Sequence, residues 1–339
     1  MKTERIQEST ESVRIKKDAM SMRTAVLVAP EQFEMQTKAL PEPADDEIRI
    51  RIEGCGLCAS NLPSWEGREW FSYPMEPGSP GHEAWGTADA VGKNVHHINR
   101  GDRITGLSYH AYAEYDIAGA DHVVKLPPSL NGRPFPGEPL GCAMNIFRRS
   151  RIEAGMTVAV VGTGFLGLLL VQLAKDAGAR VIAISKRTSS LKMAEQFGAD
   201  HVMQATEHGK VLNQVAELTR GDLCECVLEV TGKQKPLNLA AGLTGVKGRL
   251  IIAGYHQDGR RDVDMQLWNW RGMDVINAHE RDPMVYRDGI EQAVKAVEEG
   301  VIDPFPLFTS TFPGEEIQQA FRMHQQKPDG FIKALINFT

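Results

Sequence analysis

The sequence predicts an α/β protein made of two parts, a β-rich segment and a doubly wound parallel sheet. Three observations carry that expectation. From residue 24 to about 127 the chain reads as short strand-like runs broken by Gly and Pro, clearest at 24–28 and 47–52. Beyond residue 157 the pattern changes to continuous apolar runs, as in strands buried on both faces, each followed by a helical period. Where the first such run ends and its helix opens stands Gly162-Thr-Gly-Phe-Leu-Gly167, a glycine-rich strand-to-helix turn.

At 339 residues the chain has room for two domains, each with its own core. Residues 1–21 are dominated by Glu, Lys, Ser and Thr and read as a disordered leader, without the apolar stretch of a secretory signal. The β-rich segment ends in a Pro- and Gly-rich loop at 127–137, followed by a helix at 138–151. The second part then alternates: strand 157–161, helix 165–177, strand 180–184, helix 191–197, and further strands at 225–230, 248–253 and 273–278. A helix at 289–299 and a final helix–strand pair complete the chain.

A net charge of -6 offers no basic face to a nucleic acid. No apolar run approaches the roughly 20 residues of a membrane span. The five cysteines (Cys55, Cys58, Cys142, Cys224 and Cys226) are odd in number, which argues against a disulfide framework. A cytoplasmic protein acting on small molecules is expected, with reduced thiols serving as core residues, metal ligands or nucleophiles.

The glycine turn points to a dinucleotide. Gly162 permits the tight turn, Gly164 lets the backbone approach a pyrophosphate, and Gly167 allows helix and strand to pack closely. Phe165 and Leu166 open the helix, whose unpaired N–H groups attract phosphate. The second strand ends in Ser185, Lys186 and Arg187, with no carboxylate to hold a ribose 2′-OH. That set predicts a preference for NADP(H), with NAD(H) as the other cofactor; the bland reading is that Lys186 and Arg187 are solvated surface charge.

Three upstream segments hold candidate metal ligands: Cys58, His82 with Glu83, and Glu138. A thiolate, an imidazole and a carboxylate make an open zinc set with a position left for substrate. Each has an ordinary alternative. Cys58 forms half of a Cys55-x-x-Cys58 redox pair or is simply buried, His82 is structural, and Glu138 is a helix N-terminal carboxylate. Residue type alone does not group them. Cys224 and Cys226 read as core, as does Cys142.

From Arg23 to Phe338 the chain resembles the medium-chain dehydrogenase/reductase superfamily, in its zinc-containing alcohol dehydrogenase branch. The likeness rests on ordered segments: Gly54-Cys-Gly-Leu-Cys-Ala-Ser60, Pro80-Gly-His-Glu83, Gly101-Asp-Arg103, Asp121-His-Val-Val-Lys-Leu-Pro127, Glu138-Pro-Leu140, the glycine turn and Gly198-Ala-Asp200. The Glu-Pro-Leu form is similar to sorbitol and threonine dehydrogenase-like members. The resemblance implies a GroES-like catalytic domain (22–152 and 287–339) and a Rossmann dinucleotide-binding domain (153–286). It implies a catalytic zinc among Cys58, His82 and Glu138, and leaves open whether Glu138 meets the metal directly or through a water. Glu83 is then an alternate ligand or a supporting carboxylate. Ser60 takes the family's hydroxyl position in the proton relay, and Thr231 and Gly254 join the cofactor residues. Homodimers or homotetramers paired through the dinucleotide domain are expected.

Three departures matter. Asn61 stands where the family commonly has Asp, so it orients an imidazole without adding charge. Pro63 replaces a relay histidine. No Cys lies between Asp102 and Leu126, so one catalytic zinc and no structural zinc is expected. The polar residues Trp65, Glu66, Arg68 and Trp70, with His279, Glu280 and Arg281, are expected to border the cleft and to favour a polyol, cyclitol or sugar. The competing functions are a zinc-free reductase of the same superfamily and a non-catalytic dinucleotide sensor.

Overall fold

The computed structural model describes residues 20–338. Most of the leader expected at 1–21 lies outside these residues, but Ser21 already belongs to the first strand. A hairpin of β1 (Ser21–Ala29) and β2 (Gln32–Ala39) leads into β3 (Glu47–Gly56), β4 (Glu83–Val91), β5 (Arg103–Leu107), β6 (Tyr115–Gly119) and β7 (Val123–Lys125). A short helix, α1 (Leu62–Trp65), lies between β3 and β4. In β3 the alternation read from sequence is literal: Ile48, Ile50 and Ile52 are fully buried and Arg51 is exposed. Arg49 breaks the rule and is buried, where Asp89 neutralises it at 2.7 Å.

Helix α2 (Gly137–Ser150) connects this sheet to the second part. There β8 (Thr157–Val161), α3 (Phe165–Asp176), β9 (Arg180–Ser185), α4 (Thr188–Gln196), β10 (His201–Gln204), α5 (His208–Leu218), β11 (Cys224–Glu229), α6 (Gln234–Leu243), β12 (Thr244–Ile252), α7 (Met265–Arg271) and β13 (Asp274–Asn277) alternate. The sheet is parallel, in the order β10-β9-β8-β11-β12-β13. The order in which strands are added reverses between β8 and β11, which opens a crevice at their carboxyl ends. Helix α3 is apolar nearly all round because it is covered on every side. Leu168, Leu169 and Leu170 are fully buried, each contributing about 2 kcal/mol.

The chain then returns through α8 (Pro283–Glu298), β14 (Phe308–Pro313), α9 (Ile317–Gln326) and β15 (Lys333–Asn337). Strand β15 pairs antiparallel with β3, so the last residues complete the first sheet. Helix α8 lies against α2 at two glycines. A Cβ on Gly289 would stand 2.7 Å from the Gly141 carbonyl oxygen, and one on Gly141 would stand 2.8 Å from Ile290. Strand β10 and helices α5, α6 and α7 have no counterpart among the elements read from sequence. Strand β10 and helix α7 are short, and α5 buries only Val211 and Val215; α6 buries Leu237, Leu239 and Leu243 but is broken in sequence by Pro236 and Gly242.

Candidate active site

The crevice at β8 and β11 deepens into a cleft of about 1330 Å³ between the two sheets. One end is lined by Cys58, Ser60, His82, Glu83, Glu138 and Cys142, the other by the glycine turn and Ser185, Lys186 and Arg187.

Cys58 ends the turn after β3, His82 precedes β4, and Glu83 is the first residue of β4. Antiparallel pairing of Gly56 with Glu83 brings the two segments together. Donor atoms of Cys58, His82 and Glu83 all lie within 4.8 Å of one another. Cys55, the other half of the Cys-x-x-Cys pattern, is fully buried in the core and points its thiol at the Gly56 carbonyl oxygen at 3.4 Å, so the redox-pair alternative has no geometry behind it.

His82 is oriented differently from expectation. The Asn61 amide is occupied: Oδ1 accepts from Cys58 N at 3.0 Å and the Tyr112 hydroxyl at 3.1 Å, and Nδ2 donates to Pro80 O at 2.8 Å. Asn61 Nδ2 stands 3.5 Å from His82 Nδ1, whereas the Pro80 carbonyl oxygen stands 3.2 Å away. A proton on Nδ1 donated to Pro80 leaves Nε2 bare, facing Cys58 and the Ser60 hydroxyl at 3.5 Å. Asn61 thus holds the loop, and a backbone carbonyl fixes the imidazole. Burial disfavours a charged ring, yet Cys58, Glu138 and Glu83 outweigh it and hold the His82 pKa up at about 10. The sulfur and two carboxylates that face this imidazole are donors of the kind that hold a cation.

The two carboxylates have separate partners. Glu83 is fully buried, and Lys333 of β15 brings its Nζ to 2.7 Å from Oε1 and 2.5 Å from Oε2. Burial works against the ammonium, but Glu83 overrides it and keeps the Lys333 pKa raised. Glu138, in the first turn of α2, accepts from the Cys142 thiol one turn later at 3.2 Å. Burial pushes its pKa up despite the opposing His82.

In the dinucleotide half, Gly162 has φ +108, and a Cβ on Gly167 would sit 1.9 Å from the Gly162 carbonyl oxygen. A Cβ on Gly164 would meet no protein atom within 4 Å, so the space over it is open to a ligand. Fully buried Glu229, at the end of β11, accepts from Thr231 N at 2.8 Å and from His256 Nε2 at 2.9 Å. Arg261 donates to His256 Nδ1 at 2.8 Å, which fixes the ring proton on Nε2 and ties the loop beyond Gly254 to the sheet.

The zinc-binding dehydrogenase family matches residues 166–295, and the alcohol dehydrogenase GroES-like domain matches residues 44–128. The chain belongs to the zinc-dependent alcohol dehydrogenases of the medium-chain superfamily. It is similar to the D-arabitol-phosphate dehydrogenase of Enterococcus avium, at 26% identity over 84% of this chain and 88% of that one. To a sorbitol dehydrogenase of Halalkalibacterium halodurans it is 25% identical, over 90% of this chain and 95% of that one. An Escherichia coli oxidoreductase of unknown specificity shares the fold, with a TM-score of 0.86 at 22% identity, over 94% of this chain and 100% of that one. This dehydrogenase is therefore an oxidoreductase acting on CH–OH groups of small molecules with a nicotinamide dinucleotide.

The donor set of the dehydrogenase fits a zinc ion, which supplies Lewis acidity to the substrate oxygen when bound. Around that position the protein's own groups keep the charge in order: Lys333 neutralises Glu83, Cys142 donates to Glu138, and the Ser60 hydroxyl stands 3.5 Å from His82 Nε2. Two expectations for the dehydrogenase need correction. Trp65 is not at the cleft but fully buried, its ring 5.7 Å from that of Phe321. Glu66, Arg68 and Trp70 do not line the cleft either; Phe71 and Tyr109 do, together with the expected His279, Glu280 and Arg281. Cys142 is not core but a cleft residue, and its i, i+4 spacing from Glu138 on one helix was the signal available for that. Lys333 and His256 carried no sequence signal, since their carboxylate partners Glu83 and Glu229 lie on other elements.

Proposed function

We propose that this dehydrogenase moves a hydride between NADP(H) and a polar alcohol, a polyol, cyclitol or sugar, with one catalytic zinc and no structural zinc. The metal is held by Cys58 and His82 with Glu138, directly or through a water, while Glu83 serves as a supporting carboxylate; Ser60 relays the substrate proton. The observation that carries this reading is the single cleft shared by the Cys58–His82–Glu83 cluster and the open glycine turn. Its polar lining of Tyr109, Asn145, His279, Glu280 and Arg281 suits a substrate with several hydroxyls. The arabitol-phosphate and sorbitol dehydrogenases among its relatives support the same class. Ser185, Lys186 and Arg187, with no acidic residue among them, support NADP(H).

The test is an NADP+-linked screen of polyols, inositols and sugars with zinc measured in the same preparation. Turnover at about one zinc per chain, with kcat/KM higher for NADP+ than for NAD+, is expected. Turnover without metal overturns the zinc reading, and equal or better use of NAD+ overturns the cofactor reading.

We read the chain as a catalytic domain (22–152 and 287–339) around a dinucleotide-binding domain (153–286), acting in the cytoplasm as a homodimer or homotetramer. No helix among the described residues is long and apolar enough to cross a membrane. Strand β13 is an open sheet edge with Val275 exposed, and Trp270 beside it is 88% exposed. Such an edge invites a second copy. Light scattering on the wild type and on Val275→Lys tests this, with dissociation of the variant expected.

A further inference from the structure

Tyr286 lies in the first turn of α8 and is half-buried in the wall of the cleft. Its backbone is fixed from several sides. Asp282 caps the helix by accepting from Met284 N at 2.9 Å. Asn145 of α2, itself buried, donates from Nδ2 to the Val285 carbonyl oxygen at 3.1 Å. One turn further on, the close approach of Gly289 to Gly141 holds the two helices together. The ring therefore has a defined place, and its hydroxyl stands among Cys142, Glu138 and Tyr109 at the end of the cleft that holds Cys58 and His82.

The protons of this wall are already committed. A tyrosine hydroxyl has one proton and two lone pairs. Tyr286 gives its proton to the Glu280 carbonyl oxygen at 3.1 Å. The neighbouring Cys142 thiol gives its own to Glu138 at 3.2 Å. Burial first, and then Cys142 and Glu138, push the Tyr286 pKa up, so the hydroxyl stays neutral. What is left towards the cleft is a set of acceptors: the Tyr286 lone pairs and the Cys142 sulfur, beside a carboxylate. Such a wall welcomes a hydroxyl that brings its own proton, offers nothing to a methyl group and opposes an anion.

We infer that Tyr286 is a specificity-determining residue that accepts a hydrogen bond from the hydroxyl on the carbon next to the reacting one, so that the substrates are vicinal diols. The inference rests on the reading of the substrate as an alcohol with several hydroxyls, and narrows it to one atom of the protein and one hydroxyl of the substrate. With the reacting oxygen at the Cys58–His82 cluster, the neighbouring hydroxyl would donate to Tyr286 Oη. A simple secondary alcohol leaves that oxygen without a donor. A 2-hydroxy acid sets a carboxylate against it and against Glu138. The tether to Glu280 fixes which way the lone pairs of Tyr286 face.

The test compares kcat/KM for propane-1,2-diol and propan-2-ol on the wild-type holoenzyme and on Tyr286→Phe, with one cofactor throughout. Both probes present a secondary alcohol and differ by one hydroxyl, and Phe keeps the ring in its place. Loss of one hydrogen bond should lower the diol-to-monoalcohol ratio about tenfold in the variant. Tyr286→Phe also releases the Glu280 carbonyl, but a loosened loop slows both alcohols alike and leaves the ratio where it was. A wild-type ratio well above one that survives in Tyr286→Phe therefore overturns the role of Tyr286 alone. A wild-type ratio of one or less, or no turnover of the diol, overturns the polyol reading and the role of Tyr286 with it. Lactate should be a poorer substrate of the wild type than propane-1,2-diol; a better one overturns the assignment of this wall as an acceptor of hydroxyl protons.

Discussion

Lys333 and Glu83 stand 250 residues apart in sequence, and their side chains meet at 2.7 Å in a fully buried ion pair behind the Cys58–His82 cluster. Removing one member leaves an uncompensated charge in the interior. Lys333→Met should lose about 3–5 kcal/mol of stability, and Lys333→Met with Glu83→Gln should recover much of it. Thermal unfolding of the metal-free proteins reads this directly. A single variant as stable as the wild type would show that the pair contributes little.

Cys58→Ser and His82→Ala should each lose zinc and turnover together, measured as metal per chain and kcat on one preparation. Asn61→Ala should behave differently. It removes a partner of Cys58 N, of the Tyr112 hydroxyl and of Pro80 O, but leaves that same Pro80 carbonyl free to accept from His82 Nδ1, so zinc affinity should fall while binding persists. Complete loss of metal in Asn61→Ala would contradict the assignment of imidazole orientation to Pro80.

Cys142 donates to Glu138 inside the cleft. Cys142→Ala leaves that carboxylate oxygen without its partner and should lower kcat/KM about tenfold, while Cys142→Ser, which retains a donor, should stay nearer the wild type. Equal losses in both variants would mean that thiol volume, not its hydrogen bond, is what matters.

Gly167→Ala puts a methyl group 1.9 Å from the Gly162 carbonyl oxygen, which the backbone can relieve only by moving α3 off β8. Gly164→Ala meets no protein atom and should fold normally but bind dinucleotide weakly. Comparing unfolding temperature with cofactor affinity separates the two: the first variant loses both, the second only affinity.

Asp200 accepts from Val181 N at 2.7 Å and from Lys175 at 3.0 Å. Burial, the largest single influence, raises its pKa, but Val181 N, Lys175 and His201 together outweigh it and leave the pKa below the usual carboxylate value of 3.8. A folded pKa below the unfolded one means that the stabilisation is present above about pH 4 and lost as pH falls through the folded value. The unfolding-temperature gap between wild type and Asp200→Asn should therefore be constant near neutrality and close below pH 4.

The sequence by itself determined the two-part fold, because each part writes its own period: alternation in β3, continuous apolar runs in β8 and β9. It also determined the dinucleotide turn, whose strand, glycines and helix are contiguous. The metal-type residues were legible one at a time, but their grouping depends on which residues face each other across β3 and β4. Only the tertiary structure decided that Trp65 belongs to the core, because aromatic residues beside a loop read alike whether they face Phe321 or solvent. It also decided that Pro80 rather than Asn61 holds His82, and that Lys333 and Glu83 neutralise each other. Those are relations between elements remote in sequence, and a chain read one window at a time carries no record of them.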